Sequence, residues 1–189
     1  MSSNPPSGSS IKIDRSNGHQ HIFVPHSKAG IMRYFVGLFL VFWMGGWFIG
    51  FTSALSQITS GEGGAFLMLW LGGWSLGGFF AGYMIFRVFQ KSIPEQLVLN
   101  RPSLSYDTGV PPFKFDFGIR SQKDYWKSLF PSRKQVEFTP VELKTMALRE
   151  TDSGNRLTID KGAERVEIAM GATEIEREWL YDYLQRNYG

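Results

Sequence analysis

Residues 34–86 read YFVGLFLVFWMGGWFIGFTSALSQITSGEGGAFLMLWLGGWSLGGFFAGYMIF, and this stretch decides the architecture. Residues 34–61 contain no Asp, Glu, Lys, Arg or His; Glu62 follows, and 63–86 is again free of charge. A helix that crosses the hydrocarbon layer needs about 20 mainly apolar residues, and each half supplies them. The pattern predicts a transmembrane helical hairpin over 34–89, with helices at about 34–55 and 65–87. Thr52-Ser53-Ala54 resembles a leader cleavage site, but the apolar run exceeds the roughly 7–15 residues of a signal sequence, so the first helix reads as uncleaved.

Within the hairpin, Trp43-Met44-Gly45-Gly46-Trp47-Phe48-Ile49-Gly50 recurs as Trp70-Leu71-Gly72-Gly73-Trp74-Ser75-Leu76-Gly77. Because the helices run in opposite directions, the repeat relates them by a pseudo-two-fold axis. Gly46, Gly50 and Ala54 form one small-residue strip at four-residue spacing, and Gly73, Gly77 and Ala81 form another. Such strips let helix backbones approach where lipid removes the hydrophobic drive for association. The first expectation is that these six residues pack the hairpin. The alternative reserves a second strip, Gly78 and Gly82, for dimerisation.

Flanking charge gives the orientation. Lys12, Arg15, Lys28 and Arg33 precede the first helix against Asp14 alone, Glu62 sits in the connection, and Arg87, Lys91 and Arg101 follow the second helix. Cations favour the cytoplasmic side, so both termini are expected in the cytoplasm at the plasma (inner) membrane. The runs 34–61 and 63–86 carry no Asp, Glu, Lys, Arg or His, and two helices alone enclose no pathway, which argues against transport.

The rest of the chain has ordinary polarity. A net charge of +3 is too small for a nucleic-acid binder, and the absence of cysteine removes disulfides, thiol nucleophiles and Cys-ligated metals. Residues 1–10, rich in Ser, Pro and Gly, are expected to be disordered. Residues 11–33 read as a cytoplasmic strand pair turning at Ser16-Asn17-Gly18. His19, His21 and His26 invite a metal, but no carboxylate or Cys completes a ligand set, so none is assigned.

Residues 90–189 read as a β domain. Strands are expected at 97–99 and 104–106, over 141–148 with a bulge near Thr145, and at 156–159 and 165–168. A closing helix covers about 173–188, started by a Thr173/Glu176 capping box, with Ile175, Trp179, Tyr183 and Leu184 on its inner face.

Between these strands, 111–135 mixes Lys114, Arg120, Lys123, Lys127, Arg133 and Lys134 with Phe113, Phe115, Phe117, Tyr125, Trp126 and Phe130, against Asp116 and Asp124 only. Cations interleaved with aromatics suit an anionic lipid surface. Lys114, Arg120, Lys123, Trp126, Lys127, Arg133 and Lys134 are therefore the candidate lipid or partner contacts. The competing reading makes the aromatics core residues and pairs the cations with the acidic remainder of the chain.

Strands, a meander and one closing helix match the outline of a pleckstrin-homology-like (PH-like) domain. On residues 43–50 with 70–77, 156–168 and Glu176-Arg177-Glu178-Trp179-Leu180, the chain resembles a group of uncharacterised bacterial membrane proteins with an N-terminal strand pair, a Trp/Gly-rich hairpin and a C-terminal β domain. The resemblance implies a membrane α-helical hairpin plus an α+β cytoplasmic domain, its antiparallel PH-like sheet closed by a helix; it supplies no catalytic residues. No phosphate loop, nucleophile elbow or metal-ligand cluster is recognisable, so no enzymatic activity and no cofactor is expected. The expected role is a membrane-anchored interaction module that binds a protein partner or the anionic leaflet. The alternative is an accessory subunit docking through its Gly-rich hairpin. Expected partners are membrane lipid and a protein or second copy, and no nucleic acid.

Overall fold

The computed structural model describes residues 4–15, 18–26, 30–113, 129–152 and 154–189. The chain forms two units: one combines Met1–Lys28, Ser92–Pro112 and Pro131–Gly189, the other Ala29–Lys91 and Phe113–Phe130.

In the first unit, β1 (Lys12–Asp14) and β2 (Gln20–Val24) form the expected antiparallel pair. The pair does not stand alone. β2 continues onto β3 (Glu95–Asn100), with Val24 opposite Glu95 and Gln20 opposite Leu99, so the helical hairpin is an insertion between two neighbouring strands. β4 (Ser103–Asp107) and β5 (Gln135–Phe138) complete a five-stranded meander in the order β1-β2-β3-β4-β5. Along β3, Glu95, Leu97 and Leu99 are buried while Gln96, Val98 and Asn100 are half-exposed, the alternation of a sheet with one covered face.

A second sheet holds β6 (Ala147–Thr151), β7 (Gly154–Lys161) and β8 (Glu164–Ile168), the meander expected from its turns. The strand expected over 141–148 begins only at Ala147. Pro140–Leu143 is instead a one-turn helix, α3 in chain order, because Thr139, Pro140 and Glu142 form a complete capping box with Pro in the first turn. Its Leu143, with Met146 just beyond, enters the core where a strand bulge was expected.

Helix α4 (Glu174–Tyr188) closes the unit, capped by Thr173 and Glu176 as the spacing predicts. Its buried face is Trp179, Leu180, Tyr183 and Leu184, whereas Ile175 is 67% exposed and lies off that face. Both sheets and α4 share one core: Ile22, Leu97, Leu104, Tyr106 and Phe138 from the first sheet, and Leu157, Ile159 and Ile168 from the second. Truncating any one fully buried Leu to Ala costs about 2–5 kcal/mol. Ser9 and Ser10, read as part of a disordered tail, donate hydrogen bonds to the Glu176 carboxylate (2.6 and 3.2 Å from the hydroxyls, 2.8 Å from the Ser10 amide).

In the second unit, α1 (Met32–Thr59) and α2 (Ala65–Phe89) are long and apolar enough to cross a membrane. The reversal between them needs Gly61 at φ +81°, and at Gly63 an added Cβ would sit 2.7 Å from the Ile58 Cα. Large apolar side chains on both helices remain outside any core: Phe42 is 87% exposed and Phe79 is 79% exposed.

Candidate functional site

The hairpin is joined by its repeated tryptophans. The Trp47 indole N–H donates to the Trp74 carbonyl at 3.0 Å, and the Trp74 N–H points back at the Trp47 carbonyl at 3.5 Å. These are equivalent positions of the repeat, so the reciprocal contact expresses its pseudo-two-fold relation. An indole in an apolar setting needs an acceptor for its one donor, and the facing backbone provides it. Trp70 stacks on Trp74 with ring centres 4.6 Å apart, and Trp47 stacks on Phe51 at 5.1 Å.

The structure divides the expected small-residue strips. Ala54 and Ala81 are buried, and Gly50 faces the Trp74 ring 3.8 Å from where its Cβ would be. Gly46, Gly73 and Gly77 are exposed, with open space at their Cβ positions. Gly78, read as left over for dimerisation, lies directly beneath the Trp47 ring inside the hairpin. Side-chain bulk explains the difference, since an indole requires a flat, side-chain-free patch opposite it. Trp43, Trp47, Leu69, Trp70, Gly73, Trp74 and Gly77 line a shallow apolar groove of about 430 Å³.

At the other end of α2, the two ends of the basic aromatic segment dock on the helix. Phe113 and Leu129 are buried against Met84 and Val88, with Leu40 of α1 alongside. The Tyr83 hydroxyl donates to the Leu129 carbonyl at 2.8 Å, and its ring stacks on Phe130 at 5.0 Å. Arg87, 1% exposed, donates to the Gln90 side chain at 3.0 Å. The candidate contacts Lys114, Arg120, Lys123, Trp126 and Lys127 lie outside the described residues.

Arg133 is not a free surface cation. Its guanidinium clamps Asp107 through three hydrogen bonds of 2.7–3.0 Å, and Gly109 N–H and the Gln135 amide complete the carboxylate's shell at 2.9 and 3.2 Å. Arg133 is the main cause that holds the Asp107 carboxyl down at about 2, against a smaller opposing effect of burial. A fork gripping a carboxylate this way fixes β4 to the segment entering β5, while the Arg133 side chain remains 46% exposed. The Lys134 side chain is exposed, while its backbone pairs with Thr108. Arg133 and Lys134 are the candidates within the described residues, and both side chains are exposed.

Sequence reading missed a buried carboxylate. Glu95 is fully buried at the start of β3, where the chain returns from the hairpin. It accepts hydrogen bonds from the Tyr106 hydroxyl at 2.6 Å and from the Met170 and Gly171 amides at 3.1 and 2.7 Å, with His26 Nδ1 at 3.7 Å. Ala169, at φ +55°, bends the backbone so that the two successive amides converge on the carboxylate. Gly171 is required here, since an added Cβ would lie 2.6 Å from the Pro25 carbonyl oxygen. Burial first, then the nearby Glu95, push the Tyr106 hydroxyl far above its ordinary range, so it stays a donor. The sequence signal was an acid at an inward position of an alternating strand.

His21 Nδ1 is 2.7 Å from the Gln96 amide and its ring stacks on Phe23. Among the described residues, no three His, Asp or Glu side chains stand close enough together to hold a metal ion. Comparison of the chain with protein families, curated proteins and solved structures finds no match.

Proposed function

We propose that α1 and α2 cross the bilayer as a hairpin and tether the β unit, as a non-enzymatic interaction module, to the cytoplasmic side of the plasma membrane. One observation carries this reading: two helices of 28 and 25 residues whose large apolar side chains stay uncovered. Water would penalise that surface at roughly 25 cal/mol per Å², whereas lipid is its natural solvent. The cations flanking the hairpin and the lone acid of its turn support the cytoplasmic placement of both termini. Two antiparallel sheets of five and three strands around one core, closed by a helix, support the PH-like reading and a role in recognition. Segment 113–134 is the proposed contact with the anionic leaflet, since its apolar ends Phe113, Leu129 and Phe130 anchor on α2 beside Tyr83.

Because the chain has no native cysteine, single-cysteine accessibility tests the arrangement directly. In sealed inside-out vesicles, an impermeant maleimide should label Ser10→Cys and Ser132→Cys but not Ser60→Cys. Labelling of all three without detergent would refute the spanning hairpin. For the leaflet contact, hydrogen exchange across 113–134 should slow in nanodiscs with anionic lipid relative to neutral ones. That slowing should fade with salt and after replacing Lys123, Lys127 and Lys134 with Ser; persistence in this variant would turn attention to a protein target.

The exposed Gly46, Gly73 and Gly77 beside the tryptophan groove favour a second reading, an accessory subunit docking through its hairpin. Crosslinking in native membranes should then recover one dominant partner, and a lone monomer would exclude it.

A further inference from the structure

We propose that the outer face of the β6-β7-β8 sheet binds a phosphate monoester. The register forces the arrangement: Arg149 on β6 lies directly opposite Arg156 on β7, and Arg165 on β8 lies opposite Asp160. Like charges set directly across a sheet repel, so this pair places a local electrostatic conflict on the outer face of the sheet. Local conflicts of this kind are expected where a surface serves binding.

Arg149, Arg156 and Arg165, with Thr151, Thr158 and Glu167, line a concavity of about 310 Å³. The guanidiniums come from three different strands, and their side chains are 42%, 46% and 56% exposed respectively. Two carboxylates hold them in place. Arg156 donates to Glu167 at 3.0 Å, Arg165 to Asp160 at 2.8 Å, and Arg149 reaches Asp160 only at 3.7 Å while its Nε–H donates to the Thr158 hydroxyl at 3.1 Å. Among the described residues, three guanidiniums share the Glu167 and Asp160 carboxylates on this face, beside the Thr151 and Thr158 hydroxyls. A phosphate monoester brings close to two negative charges and three terminal oxygens, which match guanidinium forks better than a single carboxylate does. Among the described residues, the cavity's lining includes no aromatic side chain for a base to stack on, which favours a phosphate monoester over nucleic acid. Glu167 is the competing anion, and the ligand must displace its hold on Arg156.

The test uses the full chain in neutral detergent micelles, titrated calorimetrically with inorganic phosphate, glycerol 3-phosphate and short-chain phosphatidic acid. Saturable binding is expected for glycerol 3-phosphate. It should weaken by about tenfold or more in Arg149→Gln and Arg156→Gln, the loss expected for one charge-assisted contact. Arg156→Lys should recover part of it, and Glu167→Gln should bind tighter than the natural chain. Binding should also weaken between pH 7.5 and 5.5, as the monoester loses its second charge near pH 6. Equal affinity for glycerol 3-phosphate and phosphatidic acid identifies a soluble ligand, whereas a lipid at least tenfold tighter identifies a headgroup. Absence of saturable binding by all three probes overturns the proposal. So does binding that Arg149→Gln and Arg156→Gln leave unchanged, or, should those variants misfold, binding that Glu167→Gln fails to tighten.

Discussion

Adjacent glycines in α2 make opposite predictions. At Gly78 a methyl group would lie 2.8 Å from Cη2 of Trp47, with two further ring atoms closer still, whereas ordinary contact begins near 3.4 Å. The ring is the far end of a side chain, but its N–H is tied to the Trp74 carbonyl at 3.0 Å, so its retreat stretches that bond. Overpacking costs about 1–3 kcal/mol, and an interhelical hydrogen bond in a membrane is worth about 0.6–2 kcal/mol. Against this, replacing a helical Gly with Ala returns about 0.5–1 kcal/mol. Gly78→Ala should therefore destabilise the hairpin by about 2 kcal/mol. Gly77→Ala meets nothing within 4 Å and should be neutral or slightly stabilising. The assay is unfolding from neutral detergent into dodecyl sulfate, followed by tryptophan fluorescence at protein-to-micelle ratios where copies do not meet. The Gly78→Ala midpoint should fall to lower dodecyl sulfate and the Gly77→Ala midpoint should not. Equal shifts, or a larger one at Gly77, would refute the tryptophan–glycine interface and restore the small-residue strip.

The Asp107 and Glu176 carboxyls both stand at about 2. At Glu176 burial pushes upward, but hydrogen bonds from Ser9, Thr173 and Ser10 outweigh it. Folded values below the unfolded ones add stability at neutral pH that disappears as pH falls from about 5 towards 2, each carboxylate contributing about 2–3 kcal/mol. Denaturant midpoints measured across that window should fall, and Asp107→Asn should flatten part of the slope. Tyr106→Phe removes the hydroxyl bond to Glu95 and should cost about 1–3 kcal/mol in the same assay, without altering the hairpin. Thr139→Ala and Thr173→Ala each break a capping box and should cost about 1 kcal/mol. Fragment 91–189 lacks β1 and β2 and should fail to fold, giving broad amide resonances, whereas addition of residues 4–26 through a linker should restore dispersion.

Elements whose signal is local were legible in the sequence. The two charge-free runs, the Thr173/Glu176 box and the turns of the β6-β7-β8 meander each depend on neighbouring residues. Thr139-Pro140-Val141-Glu142 carried an equally local signal, but Val141 and Leu143 mimic strand alternation and the capping box was overlooked. Contacts set by tertiary geometry were hidden. Nothing adjacent in the chain ties Arg133 to Asp107, or Glu95 to the amides of Met170 and Gly171. The small-residue spacing at Gly46, Gly50, Gly73 and Gly77 suggested backbone approach, yet the paired indoles determined which glycine is covered. The pairing of β2 with β3 was equally invisible, because the hairpin separates them in the chain.

That pairing constrains how the polypeptide is threaded. Val24 and Glu95 are cross-strand partners in one ladder, so the residues just before and just after the insertion must end on the same side of any barrier between. An even number of passages satisfies this requirement and an odd number never does. For the proposed spanning hairpin, the ladder thus requires an even number of crossings independently of flanking charge. It also leaves the outer edge of β2, synthesised early and already paired with β1 on its other side, to wait for β3 until the hairpin has been laid down.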